Sequence, residues 1–414
     1  MKGSVVIIVR ALYGLRTSSE RWPVHLADTF RGFNFKPTRY DNNVWIRQSE
    51  DGNSYDYICI HVDNFMAVGK RAQRIMDEIK SVYTVKAEGP PDYYLGNDDK
   101  QDKKGRLCVV SKKYIKEVLT RIESIFGTLR KYANPSETGN NTELDDSNAL
   151  GDKEHRQYQM LMGILIWVVG LGRSDVAHAT SSLSRFSACP QEGHLSRAIR
   201  VFDFLQKTPN RRFVVDSRDP IVRGGKEALG KDFTKELCAL YPDAAEELDA
   251  NLPTPLVEEI SITIFIDSEN AHEKVTRRLI KGLIAFLGRT PVLYLSKRHG
   301  VIETSTYSAE FCAMKNFAEE TISIRYMMRF LGVKVKIASL LCGENLGVIQ
   351  NSTIKSSLLK KKHVAISYNK TREAAASVIV HPIKTDGTIN YADVLTKSQD
   401  LKTFQSITDS YFYG

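Results

Sequence analysis

Four acidic residues in the last third of the chain lie where predicted strands and helices begin or end. They are Asp267 after an apolar run, Glu310 early in a predicted helix, Glu344 after a predicted strand, and Asp393 in an acidic turn. In a mixed sheet, strand ends and the helices packed on them can converge on one crevice. Because four carboxylates in one crevice repel one another, such a cluster predicts bound Mg²⁺, which prefers oxygen ligands.

Two Mg²⁺ ions held about 3.5–4 Å apart stabilise the attacking and leaving oxygens of a phosphoryl transfer. The pattern therefore predicts phosphodiester chemistry with two Mg²⁺ ions, or Mn²⁺ in their place. The alternative is that each acid is a helix cap or a solvated side chain, since strand ends and first helical turns commonly carry Asp and Glu. The shared order of strands and acids favours the metal site.

A second candidate site is the short apolar stretch 57–69. Two β-prone runs flank the polar pair Asp63 and Asn64, which predicts a hairpin with this pair at its tip. A carboxylate on a stiff hairpin suits a divalent-cation site, because such sites need rigidly held oxygen ligands. The alternative is a turn that favours Asp and Asn only for their local hydrogen bonds.

Basic residues point to a polyanionic partner. The chain has 58 Lys and Arg against 49 Asp and Glu, a net charge of +9 that is compatible with binding nucleic acid. Lys360, Lys361 and Lys362 form a run suited to sequence-independent contacts with phosphate. A solvated helix start is the alternative for this run.

Length and composition bound the class of protein. With 414 residues, 42% of them hydrophobic, the chain is expected to form two or three domains with sizeable cores. The six cysteines form no C-x-x-C pair, which predicts reduced thiols and no zinc finger. No stretch is long enough to span a bilayer or to serve as a signal peptide, so we expect a cytoplasmic or nuclear protein without a membrane partner. The oligomeric state is not predicted.

The last third alternates between strand and helix patterns. Predicted strands cover 261–266, 282–287, 291–295, 335–341 and 377–382, and predicted helices cover 305–331 and 360–376. This alternation predicts a mixed sheet with parallel neighbours and flanking helices. The fold class expected for the whole chain is α+β in its first part and α/β in its last.

Several short motifs follow one another in a distinctive order. They are A-L-Y-G-L-R at 11–16 with Trp22, I-H-V-D-N at 60–64, Y-L-G at 94–96, Tyr158 with Gly163, Trp167 and R-S-D-V at 173–176, Pro190 with His194 and Ala198, S-T-Y-S-A-E at 305–310, G-E-N at 343–345, K-H at 362–363 with R-E at 372–373, and A-D-V-L-T-K at 392–397. Together they resemble the reverse transcriptase and RNase H region of copia-type retrotransposon polyproteins, over nearly the whole chain.

The resemblance implies a partial polymerase palm and thumb followed by an RNase H-like mixed sheet. It assigns the segments as follows: 1–133, a truncated palm and the start of the thumb; 134–151, a linker or surface loop; 152–208, a helical thumb or connection segment; 209–260, an irregular connection; 261–397, the RNase H-like domain; and 398–414, a C-terminal tail. It also makes Asp267, Glu310, Glu344 and Asp393 the catalytic and metal-binding acids, and Asp63 and Asn64 the former polymerase site.

Departures from the family pattern shape the predicted function. Asn64 replaces an acid of the family, and only ten residues precede the first motif where a further acid is expected, so polymerase activity is predicted to be lost. Glu344 replaces Asp, which keeps the charge but shifts the oxygens, and reaction rates depend steeply on positioning. The favoured function is metal-dependent cleavage of RNA in an RNA–DNA hybrid, gripped by its backbone and groove shape. The alternatives are a non-catalytic nucleic-acid-binding remnant and a decayed, inactive retroelement product.

Overall fold

The computed structural model describes residues 16–413, apart from 63, 87–88, 90–92, 103, 140, 221, 223–233, 270–273, 301, 303–304, 358, 360–361 and 388–389. Asp63, Lys360, Lys361 and most of the motif at 11–16 therefore lie outside the described residues. The chain forms two compact units. The first comprises 1–90, 249–259 and 326–334, and the second comprises 91–248, 260–325 and 335–414.

Helices and strands alternate along most of the chain. The helices are α1 (Arg16–Gly32), α2 (Ala72–Lys80), α3 (Lys112–Phe126), α4 (Asp152–Gly170), α5 (Ala177–Ser184), α6 (Glu192–Lys207), α7 (Thr234–Cys238), α8 (Thr306–Phe330), α9 (Leu346–Thr353), α10 (Ala365–Ala376) and α11 (Leu401–Thr408). The strands are β1 (Lys36–Pro37), β2 (Val44–Gln48), β3 (Tyr55–His61), β4 (Asn64–Val68), β5 (Asp98–Gln101), β6 (Leu107–Val110), β7 (Phe213–Val214), β8 (Val257–Ile260), β9 (Ile262–Glu269), β10 (Ile280–Leu287), β11 (Thr290–Arg298), β12 (Val333–Val335), β13 (Ser339–Gly343) and β14 (Val380–Lys384). Among the described residues, no helix combines the length and the apolar character needed to cross a membrane.

The first unit contains the antiparallel sheet β1-β2-β3-β4. Helices α1 and α2 pack on it through apolar stripes at helical spacing, Leu26 and Phe30 on α1 and Ile75 and Ile79 on α2. The predicted hairpin at 57–69 is confirmed, because β3 pairs antiparallel with β4 as far as His61 and Asn64. Asn64 was predicted at the tip, but the ladder extends to it, so it is the first residue of β4 and lies beside the connection.

The second unit is built around the five-stranded sheet β11-β10-β9-β13-β14. Strands β9, β10 and β11 pair antiparallel, whereas β9, β13 and β14 run parallel. The predicted mixed sheet with parallel neighbours is therefore confirmed. Ile264, Phe265 and Ile266 of the central strand β9 are all buried, as expected for a strand covered on both faces.

The strand predicted at 335–341 is two short strands, β12 and β13. Between them, the guanidinium of the buried Arg325 donates hydrogen bonds to the carbonyl oxygens of Lys336 and Ile337, at 3.0 and 2.9 Å. These carbonyls point to a side chain instead of to a neighbouring strand, so the ladder is interrupted. Ile337, which apolar periodicity placed inside a strand, is 76% exposed.

Helix α9 was not predicted. Its first residues follow the sequence Gly343-Glu344-Asn345, and a glycine-containing polar stretch is typical of a loop. The signal that could have identified the helix is Asn345, whose side chain accepts a hydrogen bond from the backbone N–H of Val348 and so caps the first turn.

Helices α3 to α6 and the five-stranded sheet share one hydrophobic core within the second unit. Helix α11 joins this core, with the rings of Phe204 and Phe404 5.7 Å apart in an edge-to-face contact. Residues 398–414, predicted as a tail, thus contribute a helix and buried side chains. The segment boundaries implied by the resemblance concern ancestry and remain predictions.

His194, from one of the family motifs, is a buried structural residue of α6. Its Nδ1 accepts a hydrogen bond from the backbone N–H of Gln191 at 3.1 Å, and its Nε2 lies 2.9 Å from the carbonyl oxygen of Thr142. Because a carbonyl oxygen can only accept, Nε2 carries the proton and the ring is neutral. Burial lowers the pKa of His194.

Lowering the pH from about 8 to about 5 is expected to destabilise the wild-type protein more than a His194→Gln variant. The pKa of His194 lies below its unfolded value of about 6.5, so the unfolded chain takes up the proton first as the pH falls. The contribution of His194 is therefore complete above about pH 6.5 and decreases below it. Gln at this position retains an acceptor for the N–H of Gln191 but does not titrate. Urea unfolding of both proteins at the two pH values measures the loss in free energy of unfolding. An equal loss in the wild type and in His194→Gln would contradict the prediction.

Candidate active site

Asp267 and Glu344 lie at the same level of two neighbouring parallel strands. The register of β9 and β13 places Cys342 opposite Phe265, so Glu344, two residues further on, follows the end of β13 beside Asp267. Residues at one level of neighbouring parallel strands point to the same face of the sheet, because the side-chain period is two. The central parallel pair therefore brings together two of the four predicted acids.

Glu310 approaches the same region from the second turn of α8. Asn345 donates a hydrogen bond of 3.3 Å to its carboxylate, so the residue that caps α9 also orients this acid. Burial raises the pKa of Glu310 to about 7. Repulsion from the charges of Asp267 and Glu344 contributes to this rise in pKa, whereas the hydrogen bond from Asn345 opposes it.

Asp393 comes from a 3₁₀ turn near the C-terminus and is only 6% exposed. Burial raises the pKa of Asp393 to about 7, and repulsion from Asp267 and Glu344 contributes to the rise. Lys397 opposes the rise, since its ammonium group lies 3.2 Å from the carboxylate of Asp393. Asp267 and Glu344 thus influence both Glu310 and Asp393 electrostatically, which places the four acids in one neighbourhood.

Two polar side chains attach the turn that carries Asp393 to the central strand. Thr396 donates a hydrogen bond to the carboxylate of Asp267. The fully buried Asn390 donates to the carbonyl oxygen of Ile266 at 2.9 Å and accepts from the backbone N–H of Ala392 at 3.1 Å. Asn390 was not predicted as a site residue, and its signal in the sequence was its place just before the A-D-V-L-T-K motif.

Gly282 permits the close approach of this turn to the sheet. It pairs with Asp267 across β10 and β9. A Cβ atom at Gly282 would lie 2.7 Å from Cγ2 of Thr396 and 2.8 Å from the carbonyl oxygen of Ala392. Gly282 was not predicted as a site residue, although a glycine inside an apolar strand is a recognised signal of close backbone approach.

The donor set fits a hard divalent cation. All four side chains offer carboxylate oxygens, which Mg²⁺ and Mn²⁺ accept as ligands. Oε1 of Glu344 and Oδ1 of Asp393 are buried and have no hydrogen-bond partner within the described part of the chain. Because a buried, unsatisfied carboxylate oxygen is costly, a cation at this place would satisfy both residues.

The arrangement of the four carboxylates is not that of a complete metal site. Within the described ranges, no group of three or more His, Cys, Asp or Glu side chains is arranged to hold a metal ion. A small pocket is lined by Asp267 and Glu310. The carboxylate of Glu344 instead lies beside Gly387, where a Cβ atom would come within 3.0 Å of Oε2.

The remaining predicted site residues lie elsewhere. Asn64 is exposed at the start of β4, in the first unit, whereas the four acids belong to the second. Lys362 is exposed in a 3₁₀ turn before α10, where phosphate could reach it. Arg372 of the family's R-E motif is buried and donates to the carbonyl oxygens of Asn351 and Ile354, so its role is structural.

Comparison with known proteins identifies the relatives of the chain. No protein-family model matches it. The Retrovirus-related Pol polyprotein from transposon RE1 of Arabidopsis thaliana is 24% identical over 401 residues, which cover 96% of this chain and 24% of the polyprotein. The corresponding polyprotein from transposon TNT 1-94 of Nicotiana tabacum is 22% identical over 408 residues, covering 96% and 27%. The putative transposon Ty5-1 protein YCL074W of Saccharomyces cerevisiae is 23% identical over 315 residues, covering 75% and 86%.

These homologues are copia-type retrotransposon Pol polyproteins, which confirms the resemblance found in the motifs. The chain spans about a quarter of the length of the plant polyproteins that it matches. Among solved structures, the N-terminal RNase H domain of Rv2228c from Mycobacterium tuberculosis, fused to maltose-binding protein, is 12% identical with a TM-score of 0.26. That match covers 36% of this chain and 98% of the other. A TM-score of this size does not establish a shared fold.

Proposed function

We propose that the second unit is an RNase H-like nuclease that cleaves RNA in RNA–DNA hybrids with a divalent metal, within a retroelement-derived reverse transcriptase/RNase H region. The observation that carries the proposal is that the four acids lie in one neighbourhood, around the central parallel strands of a mixed sheet. They come from β9, α8, the end of β13 and a C-terminal 3₁₀ turn. The similarity of the chain to retrotransposon Pol polyproteins supports an RNA–DNA hybrid as the substrate class.

Asp267, Glu310, Glu344 and Asp393 would hold the metal ions. Bound Mg²⁺ would stabilise the charge that develops on the attacking and leaving oxygens of the phosphodiester. The protein's part is to position the ligands: Asn345 orients Glu310, and Thr396 orients Asp267. The hybrid would be held by phosphate contacts and groove shape, with Lys362, Lys360 and Lys361 as candidate contacts.

DNA synthesis by this chain alone is not part of the proposal. Asn64 lies beside the connection of the β3–β4 hairpin, where the family has an acid. Its amide oxygen can contact a cation but brings no negative charge, so it would hold Mg²⁺ more weakly than a carboxylate. We therefore propose that the hairpin, with Asp63, is a structural remnant of a polymerase site.

A cleavage assay on three matched substrates tests the nuclease. The RNA strand is labelled and presented as an RNA–DNA hybrid, as an RNA duplex and as a single strand, with Mg²⁺, Mn²⁺ or a chelator. We expect metal-dependent cleavage of the hybrid alone. Salt-dependent binding of the hybrid without cleavage in either metal would instead support a non-catalytic binding remnant. A folded protein that neither binds nor cleaves would support a decayed product.

Glu344→Asp is expected to increase hybrid cleavage in Mg²⁺ by about tenfold or more, since misplacing a reacting group by about 1 Å can cost about 100-fold. The shorter side chain would withdraw the carboxylate from Gly387 toward the end of β13, nearer to Asp267. Glu373→Asp, on the outer part of α10, makes the same chemical change away from the acids and serves as the control. Unchanged or lower cleavage in Glu344→Asp would show that the longer side chain suits the site.

A further inference from the structure

The ammonium group of Lys397 lies between two of the four acids. Its Nζ is 3.2 Å from Oδ2 of Asp393 and 4.0 Å from Oδ2 of Asp267, and 36% of the side chain is exposed. Burial opposes its charge, but attraction to Asp267 and Asp393 prevails and raises the pKa of Lys397. A permanent positive charge thus lies at the place where two carboxylates would otherwise repel each other.

We infer that Lys397 is a tethered cation that neutralises Asp267 and Asp393 when no divalent ion is bound and competes with that ion for the same two carboxylates. The inference rests on the proposed function in taking the four acids to be a metal site. It goes beyond that function by assigning a role to a residue that is not itself a metal ligand.

The contacts show why an ammonium group satisfies the acids only in part. Lys397 contacts Oδ2 of Asp393, whereas Oδ1 of the same carboxylate stays buried without a hydrogen-bond partner in the described part of the chain. A divalent ion carries twice the charge and can bind oxygens from several residues at once. The exchange of one cation for the other is therefore favourable when the ion is available.

The side chain is suited to leave the site. Lysine carries a compact charge on a flexible four-carbon stem, and such stems can place the charge in water while the carbons stay against the protein. Because about a third of the Lys397 side chain is already exposed, the ammonium group has a short path to solvent. In the absence of metal, the same group would keep the Asp393 turn close to the central strand, together with Thr396.

A binding experiment on the full chain tests the inference without measuring cleavage. Lys397→Met removes the charge and keeps a side chain of similar length, and Lys402→Met, at an exposed lysine of α11, is the matched control. Titration with Mn²⁺, followed by the electron paramagnetic resonance signal of the free ion, measures the affinity. We expect Lys397→Met to bind Mn²⁺ about tenfold more tightly than wild type or Lys402→Met, a change of about 1.4 kcal/mol. Equal or weaker binding would overturn the inference.

A measurement on the wild-type protein covers the case in which Lys397→Met does not fold without metal. Amine-reactive labelling, quantified at Lys397 by mass spectrometry, is expected to increase several-fold when Mn²⁺ is added, with Lys402 unchanged. If Mn²⁺ binds but labelling of Lys397 stays constant, the inference is wrong and the metal site stands. If Mn²⁺ does not bind to wild type or to Lys397→Met, both the metal site and this inference are wrong.

Discussion

The Asp267→Asn variant is expected to lose cleavage of an RNA–DNA hybrid by at least about a thousandfold, as is common when one member of a catalytic group that acts as a unit is removed. Asp267 lies on the central strand, at the level of Glu344, and its charge influences both Glu310 and Asp393. The amide keeps the shape of the side chain and an oxygen that can accept from Thr396, so the loss reports on charge.

The fold of the Asp267→Asn variant should be retained, because the substitution removes one of several mutually repelling carboxylates. In the presence of a chelator, the thermal unfolding midpoint of Asp267→Asn is expected to be no lower than that of the wild type, apart from any loss caused by removing the contact between Lys397 and Asp267. Asp243→Asn, at an exposed acid of the same unit, is the matched control and should cleave normally. Cleavage that persists in Asp267→Asn would remove the four acids from the mechanism.

Gly282→Ala is expected to lower the free energy of unfolding by about 1–3 kcal/mol, the usual cost of overpacking a filled site. The added methyl would meet Cγ2 of Thr396 at 2.7 Å and the carbonyl oxygen of Ala392 at 2.8 Å, distances that force the turn away from the strand. Since this turn carries Asp393, hybrid cleavage should fall with stability. Urea unfolding and the cleavage assay measure the two effects.

Gly163→Ala is the matched control for Gly282→Ala. Gly163 lies within α4, and a Cβ atom there would meet no atom within 4 Å, so Ala should be neutral or stabilising by roughly 0.5–1 kcal/mol. Adding Thr396→Ser to Gly282→Ala removes the clashing methyl of Thr396 and should recover part of the lost stability. Wild-type stability in Gly282→Ala would contradict the close approach.

Local patterns were sufficient to predict much of the second unit. The strands and helices predicted for the last third occur in the observed order, apart from the unpredicted helix α9, because apolar periodicity is a property of neighbouring residues. The hairpin of β3 and β4 was predicted for the same reason. The prediction failed where a side chain from another element determines the backbone conformation. Arg325 donates hydrogen bonds to the carbonyl oxygens of Lys336 and Ile337, and these bonds divide a predicted strand in two.

The sequence by itself determined which acids could do chemistry and which family of proteins the chain resembles, because residue types and short motifs can be recognised without coordinates. Only the tertiary structure decided how the acids are positioned. Asn390 bonds to Ile266 across 124 residues, Gly282 makes room for the turn, and Lys397 inserts a positive charge between two carboxylates. These contacts join residues far apart in the chain, and their effect depends on distances of a few ångströms that no local pattern encodes.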